Sequence, residues 1–108
     1  MDRPSHHGQR SLGDLAPKLA RLTDDVLFGD IWERSGLSPH ERSLATVAAL
    51  VALSRVQQLP FHLKRAPDHG LDRDGLAELI THLAFYAGWP CAASAVNALR
   101  NIEETTSS

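Results

Sequence analysis

At 108 residues, 43% hydrophobic and 22% charged, the chain has the size and make-up of one globular domain, which excludes a wholly disordered polypeptide. A formal net charge of −2 shows no basic excess of the kind that marks nucleic-acid or anionic-membrane binding. The one cysteine, Cys91, excludes an internal disulfide and a CxxC redox centre.

Residues 1–11 are polar, with Arg3, His6, His7 and Arg10 and no apolar run. They read as a disordered arm without a targeting segment, and the expected location is the cytoplasm. The adjacent histidines are tail composition rather than a metal site. Period-two alternation is absent and apolar residues recur at helical spacing, so the fold class is all-α. A first helix is expected over 13–28, with Leu15, Leu19, Leu22 and Val26 on one face and Pro17 in its first turn. Gly29 breaks it, and a short element with Ile31 and Trp32 follows, ending at Gly36.

Ser38-Pro39-His40-Glu41 is a capping box with proline at the first helical position. The run 44–53 behind it is apolar nearly all round, which predicts burial on every side. A chain this short struggles to enclose such a helix, so part of that surface is expected to be covered by another subunit. The run is too short for a bilayer span, which needs about 20 residues. A shorter helix starts near Pro60, and Pro67 ends or kinks it before a turn at Gly70. Asp72 caps a fourth helix over 73–87, with Leu76, Leu79, Ile80, Leu83 and Ala87 inward. Gly88-Trp89-Pro90 interrupts the chain, and a fifth helix over 90–103 turns Ala93, Val96, Leu99 and Ile102 inward. The expected division is a disordered arm at 1–11, one domain at 12–104 and a frayed tail at 105–108.

Glu78, His82 and Tyr86 follow one another at i, i+4 steps beside the apolar stripe of the fourth helix. A carboxylate one turn from a histidine fixes its tautomer and raises its basicity, and a phenol one turn on donates to an anion. A solvated helix face has the same spacing, with a Glu–His pair contributing roughly a few tenths of a kcal/mol, and on spacing alone this second reading leads. His62, between Phe61 and the cations Lys64 and Arg65, reads either as a general acid beside anion holders or as part of an amphipathic helix whose cations snorkel over apolar surface. His69 reads as a helix-end residue favoured by the dipole. Arg42 sits near a helix N-terminus, against the dipole, and invites a carboxylate or a bound anion. Cys91 opens the fifth helix, where thiols are activated, but among alanines it reads as a small packed residue. Trp32 and Trp89 read as core or interface anchors. No metal-ligand set, glycine-rich phosphate loop or nucleophile elbow is present.

Four segments in order carry a family resemblance. They are Gly29-Asp30-Ile31-Trp32-Glu33-Arg34-Ser35-Gly36-Leu37-Ser38 with the run from Arg42 to Leu50, then His62-Leu63-Lys64-Arg65-Ala66 with Gly70-Leu71, then Glu78-Leu79-Ile80-Thr81-His82-Leu83-Ala84-Phe85-Tyr86-Ala87-Gly88-Trp89-Pro90. Together they resemble the carboxymuconolactone decarboxylase family over about 20–104. The resemblance implies an alkylhydroperoxidase D-like helical bundle of about five to six helices, assembled as a homo-oligomer, a trimer or hexamer, with the site at a subunit boundary. The thiol branch of that superfamily carries a CxxC pair ahead of a histidine. Counted back from His62, those positions are Arg55 and Gln58, and the branch's acidic partner falls around Ser43. The thiol pair is absent, so an antioxidant peroxidase is disfavoured.

The branch without the pair implies a cofactor-independent decarboxylase of a small cyclic carboxylate or lactone, 4-carboxymuconolactone-like, in aromatic catabolism. Carried onto this chain, the resemblance makes His62 the proton donor, with Glu78 and His82 as the further catalytic candidates. Arg42, Lys64, Tyr86 and Trp89 become the substrate-binding candidates, with no metal and no cofactor. The expected partner is a small anionic substrate, with neither nucleic acid nor membrane. Pro67 and His69 depart from the family's usual helix-forming and Asn residues at the pocket rim. A family member that binds without catalysing is the alternative.

Overall fold

A computed structural model describes residues 6–107, with side chains over 6–104; the rest of the expected arm, 1–5, and Ser108 of the expected tail lie outside the described residues. Among the described residues every regular element is helical, six α-helices and short π and 3₁₀ segments, which agrees with the all-α expectation. The chain divides into two compact units, Met1–Leu37 and Ser38–Ser108.

In the first unit α1 spans His7–Leu12, inside the stretch expected to be an arm. Its opening N–H groups are satisfied from a distance. The Asp24 carboxylate accepts from Gly8 N at 2.7 Å and from Gln9 N at 3.0 Å. A cap supplied 15 and 16 residues later leaves no mark in the local sequence pattern. Gly8 is required by the close approach, because a Cβ there would lie 2.5 Å from the Ala20 carbonyl oxygen. α2 spans Pro17–Arg21, with Pro17 in its first turn as expected, and continues as a π-helix over Leu22–Phe28. A 3₁₀ turn, Ile31–Glu33, follows. The expected apolar face is not the buried one: Leu15, Leu19, Leu22 and Val26 are exposed, whereas Ala20 and Phe28 are buried. Leu15 lies in the turn before α2, and Leu22 and Val26 lie in the π segment, whose wider i→i+5 turn shifts the register on which a 3.6-residue period was counted. Phe28 instead gathers His7, edge-on at 6.1 Å, and Trp32 at 6.3 Å.

In the second unit α3 spans Pro39–Ala52 and begins with the predicted capping box. Glu41 N donates to Ser38 Oγ at 3.1 Å, and Ser38 N donates to Glu41 Oε1 at 2.8 Å. The Ser38 backbone N–H first, and the Ser38 hydroxyl second, hold the Glu41 carboxyl below its ordinary range. Ser43, Val47 and Val51 form the buried stripe of α3. Burial on every side does not occur within one chain: Ala45, Ala49, Ala52 and Leu53 are exposed. The outer positions are largely alanine, which suits a helix without requiring a covered face.

α4 spans Leu59–Arg65 and tightens into a 3₁₀ turn over Ala66–His69, where Pro67 has no N–H for the α-ladder. Gly70 closes the turn at φ 84°, and Leu71 N bonds back to Ala66 O at 2.9 Å. α5 spans Arg73–Ala87 from its Asp72 cap, whose Oδ1 accepts from Gly75 N at 2.9 Å. α6 spans Trp89–Ser107, so the helical backbone continues through most of the expected frayed tail.

Leu59, Leu63 and Leu76, each at most 2% exposed, join Val47, Val51 and Ile80 in one core that ties α3, α4 and α5 together. Each such leucine contributes roughly 1.5–3 kcal/mol by burial. α6 meets this core through Ala92 and Ala95, with Leu99 and Ile102 partly covered. Ala93 and Val96, expected inward, are exposed. The small Ala92–Ala95 pair admits the helix closely, and that turns Ala93 and Val96 outward. Arg73 pairs with Glu103 across α5 and α6, an exposed pair that adds little stability.

Candidate functional site

His62 lies midway along α4, half-buried, with its ring edge-on to Phe61 at 4.9 Å. The Arg65 guanidinium covers Phe61 at 5.2 Å from the ring centroid, so one turn of helix presents an imidazole, a phenyl ring and a cation together. Arg42 sits in the early turns of α3, half-buried, with its Nε shut off from solvent. Lys64 is exposed and stands between two grooves, one lined with Pro60, Asn97 and Asn101, the other with Pro67, Arg73 and Glu103.

The stripe on α5 is solvent-facing in the single chain. Glu78, His82 and Tyr86 are all exposed. The structure brings His82 and Tyr86 together as stacked rings at 4.8 Å and 28°. It shows no ion pair between Glu78 and His82. Trp89 opens α6, 64% exposed, and meets Phe85 edge-on at 5.2 Å beside a groove of about 380 Å³.

Cys91 is half-buried, its Sγ 3.2 Å from Ser54 Oγ, which fits a small packed residue. Arg55 and Gln58, at the thiol branch's cysteine positions, are exposed ahead of α4. Among the described residues no group of three or more His, Cys, Asp or Glu side chains is arranged to hold a metal ion, and no helix is long and apolar enough to cross a membrane.

A part-buried polar contact that the sequence reading did not foresee joins α3 to the turn after α4. Ser43 Oγ lies 2.7 Å from His69 Nδ1, with Ser43 only 3% exposed. Burial first, and the nearby Arg65 charge second, push the His69 imidazole below its usual pKa, with Asp68 opposing them. The ring is therefore held neutral rather than serving as a charged helix-end group. A signal was present: Ser43 stands four residues before Val47 on the buried stripe, and a lone hydroxyl there needs a partner.

Residues 17–101 match the carboxymuconolactone decarboxylase family. A 4-carboxymuconolactone decarboxylase of Acinetobacter baylyi is 37% identical over 87 residues, 81% of this chain and 65% of that protein. A nitrosuccinic acid decarboxylase of Metarhizium robertsii is 29% identical over 75 residues, 69% of this chain and 52% of that protein. The chain thus matches less than two thirds of the length of either relative. It belongs to the carboxymuconolactone decarboxylase family.

Proposed function

We propose that the chain is a cofactor-independent, cytoplasmic decarboxylase of a small cyclic carboxylate or lactone resembling 4-carboxymuconolactone, working as a homo-oligomer, a trimer or hexamer. What carries this reading is the family match across 17–101, with Arg55 and Gln58 where the thiol branch has cysteines. In the reaction the bond to the leaving carboxylate breaks and its electron pair flows into the conjugated lactone carbonyl. CO2 departs, and a dienolate remains to be protonated on carbon. The substrate is its own electron sink, so the protein has to hold anionic oxygens, favour the developing dienolate and deliver one proton.

His62 delivers that proton, and Arg42 and Lys64 hold carboxylates. Glu78 and His82 orient the reacting groups, and Tyr86 and Trp89 bound the pocket. The exposure of Phe85, Tyr86 and Trp89 (73%, 79% and 64%) supports assembly, because a second copy would cover this face and enclose the α5 stripe. The departures Pro67 and His69 at the pocket rim favour the alternative, a family member that binds without catalysis.

The test is turnover of 4-carboxymuconolactone and a panel of carboxylated lactones, followed as CO2 release. His62→Gln is expected to lower kcat about 10²- to 10⁴-fold with KM little changed. No CO2 from any of the panel, or unchanged kcat in the variant, overturns the proposal.

A further inference from the structure

Ser94, Asn97 and Asn101 recur along α6 at spacings of three and four, so a hydroxyl and two carboxamides share one stripe of the helix. With Val56, and with Pro60 and Lys64 of α4, they line a groove of about 400 Å³. That volume falls within the roughly 300–1,000 Å³ of small-ligand sites.

The chemistry of the lining is one-sided. Lys64 is the sole charged residue among the lining residues, and no carboxylate is among them. Asn97 Oδ1 already accepts from Arg100 Nη1 at 3.3 Å, so Asn97 has its amide N–H2 to offer, a donor. An ammonium is donor only and a serine hydroxyl can donate. Around these groups Val56, Ala98 and Ile102 supply apolar surface. A cationic ligand would meet repulsion from Lys64. A wholly apolar one would strip water from the ammonium and the amides without replacing it. The second groove beside Lys64 is less suited, because its other cation, Arg73, is paired with Glu103.

We infer that the α4–α6 groove is a binding site for a small carboxylate with an apolar body, the carboxylate on Lys64 and Asn97 and the body along Val56, Ala98 and Ile102. The groove's lining includes neither His62 nor Arg42, so the inference goes beyond the proposed function and shares Lys64 with it. It rests on that reading only for Lys64's place in the reaction, since the ligand class follows from the groove.

Benzoate and its neutral isostere benzamide are the probes, titrated into the full chain while the side-chain amide signals of Asn97 and Asn101 are followed by ¹⁵N NMR. Benzoate is expected to give saturable shifts at both residues, and benzamide to bind about tenfold more weakly. Lys64→Met is expected to lose about tenfold in benzoate affinity. Asn97→Leu, a second change at an exposed position, is expected to lose several-fold. Absent shifts, equal binding of benzamide, or full benzoate affinity in both variants overturns the assignment. Saturable benzoate binding with no lactone turned over leaves the groove standing and removes the lyase. Lactone turnover with no benzoate response at Asn97 or Asn101 does the reverse.

Discussion

Replacing Ser43 by alanine leaves a methyl group facing His69 Nδ1, where a hydroxyl now sits at 2.7 Å. The hydrogen bond itself contributes about 1 kcal/mol net. Desolvation of the ring nitrogen left against that methyl adds at most about 1 kcal/mol, because His69 is only part-buried. A loss of about 1.5 kcal/mol at pH 7.5 is expected, and for a domain near 100 residues this lowers Tm by about 6–12 °C. The same contact sets a pH dependence. His69 is held below its reference value of 6.5 in the folded chain, so the unfolded chain binds its proton first as pH falls. The stability tied to the neutral ring is complete above about pH 6.5 and is lost as pH falls from there through the folded value. Urea unfolding of the wild type, Ser43→Ala, His69→Gln and the double variant, at pH 7.5, 6.5 and 5.5, reads both effects. The cycle is expected to give an interaction of about 1 kcal/mol at pH 7.5, and His69→Gln is expected to flatten the slope between pH 6.5 and 5.5. An interaction below about 0.3 kcal/mol, or a wild type that gains stability from this histidine as pH drops, refutes the reasoning.

Ser38→Ala removes the acceptor for Glu41 N and is expected to cost about 1 kcal/mol, read as a lower urea midpoint with an unchanged m-value. Leu76→Ala, at a position 1% exposed, is expected to cost about 2–5 kcal/mol, and a loss under about 1 kcal/mol would deny Leu76 its place in the core. Phe85→Lys and Trp89→Lys change side chains that are 73% and 64% exposed in one chain. Light scattering is expected to show dissociation toward monomer with an unchanged helical CD spectrum, and an unaltered mass in both variants would show that this face is not the contact between copies.

What could be read ahead of the structure was what local chemistry determines. The α3 capping box, the Asp72 cap, the tightening at Pro67 and the left-handed Gly70 each follow from side chains within a few residues of the backbone they govern. The first unit was harder to read because its determinants are distant or irregular. The α1 cap comes from Asp24, and the π turn changes the register at Leu22 and Val26. On α6, period alone could not choose between two adjacent apolar faces. Ala92 and Ala95 are buried because small residues permit close approach, while the larger Val96 faces the Trp89 groove. On the α5 stripe the contact is His82 stacked with Tyr86, where the sequence spacing had suggested Glu78 with His82.

Ser43 and His69 satisfy each other's polar groups. The resemblance places the thiol branch's acidic partner around Ser43, and it marks His69 as replacing a usual asparagine at the pocket rim. Without cysteines at positions 55 and 58 no thiol has to be ionised, so a carboxylate at that depth would bring a desolvation cost with no use. A serine there avoids the buried charge but still needs a hydrogen-bond partner. His69 provides one at 2.7 Å, and the turn that Pro67 tightens and Gly70 closes carries it there. Ser43 and His69, 26 residues apart in sequence, are thus joined by this contact. Placing a carboxylate there by Ser43→Glu while keeping His69 should therefore destabilise the chain less than Ser43→Glu in a His69→Asn background, because of the two residues only the imidazole can take a proton and answer the new charge. Equal losses in the two backgrounds would mean that the side chains at 43 and 69 do not interact.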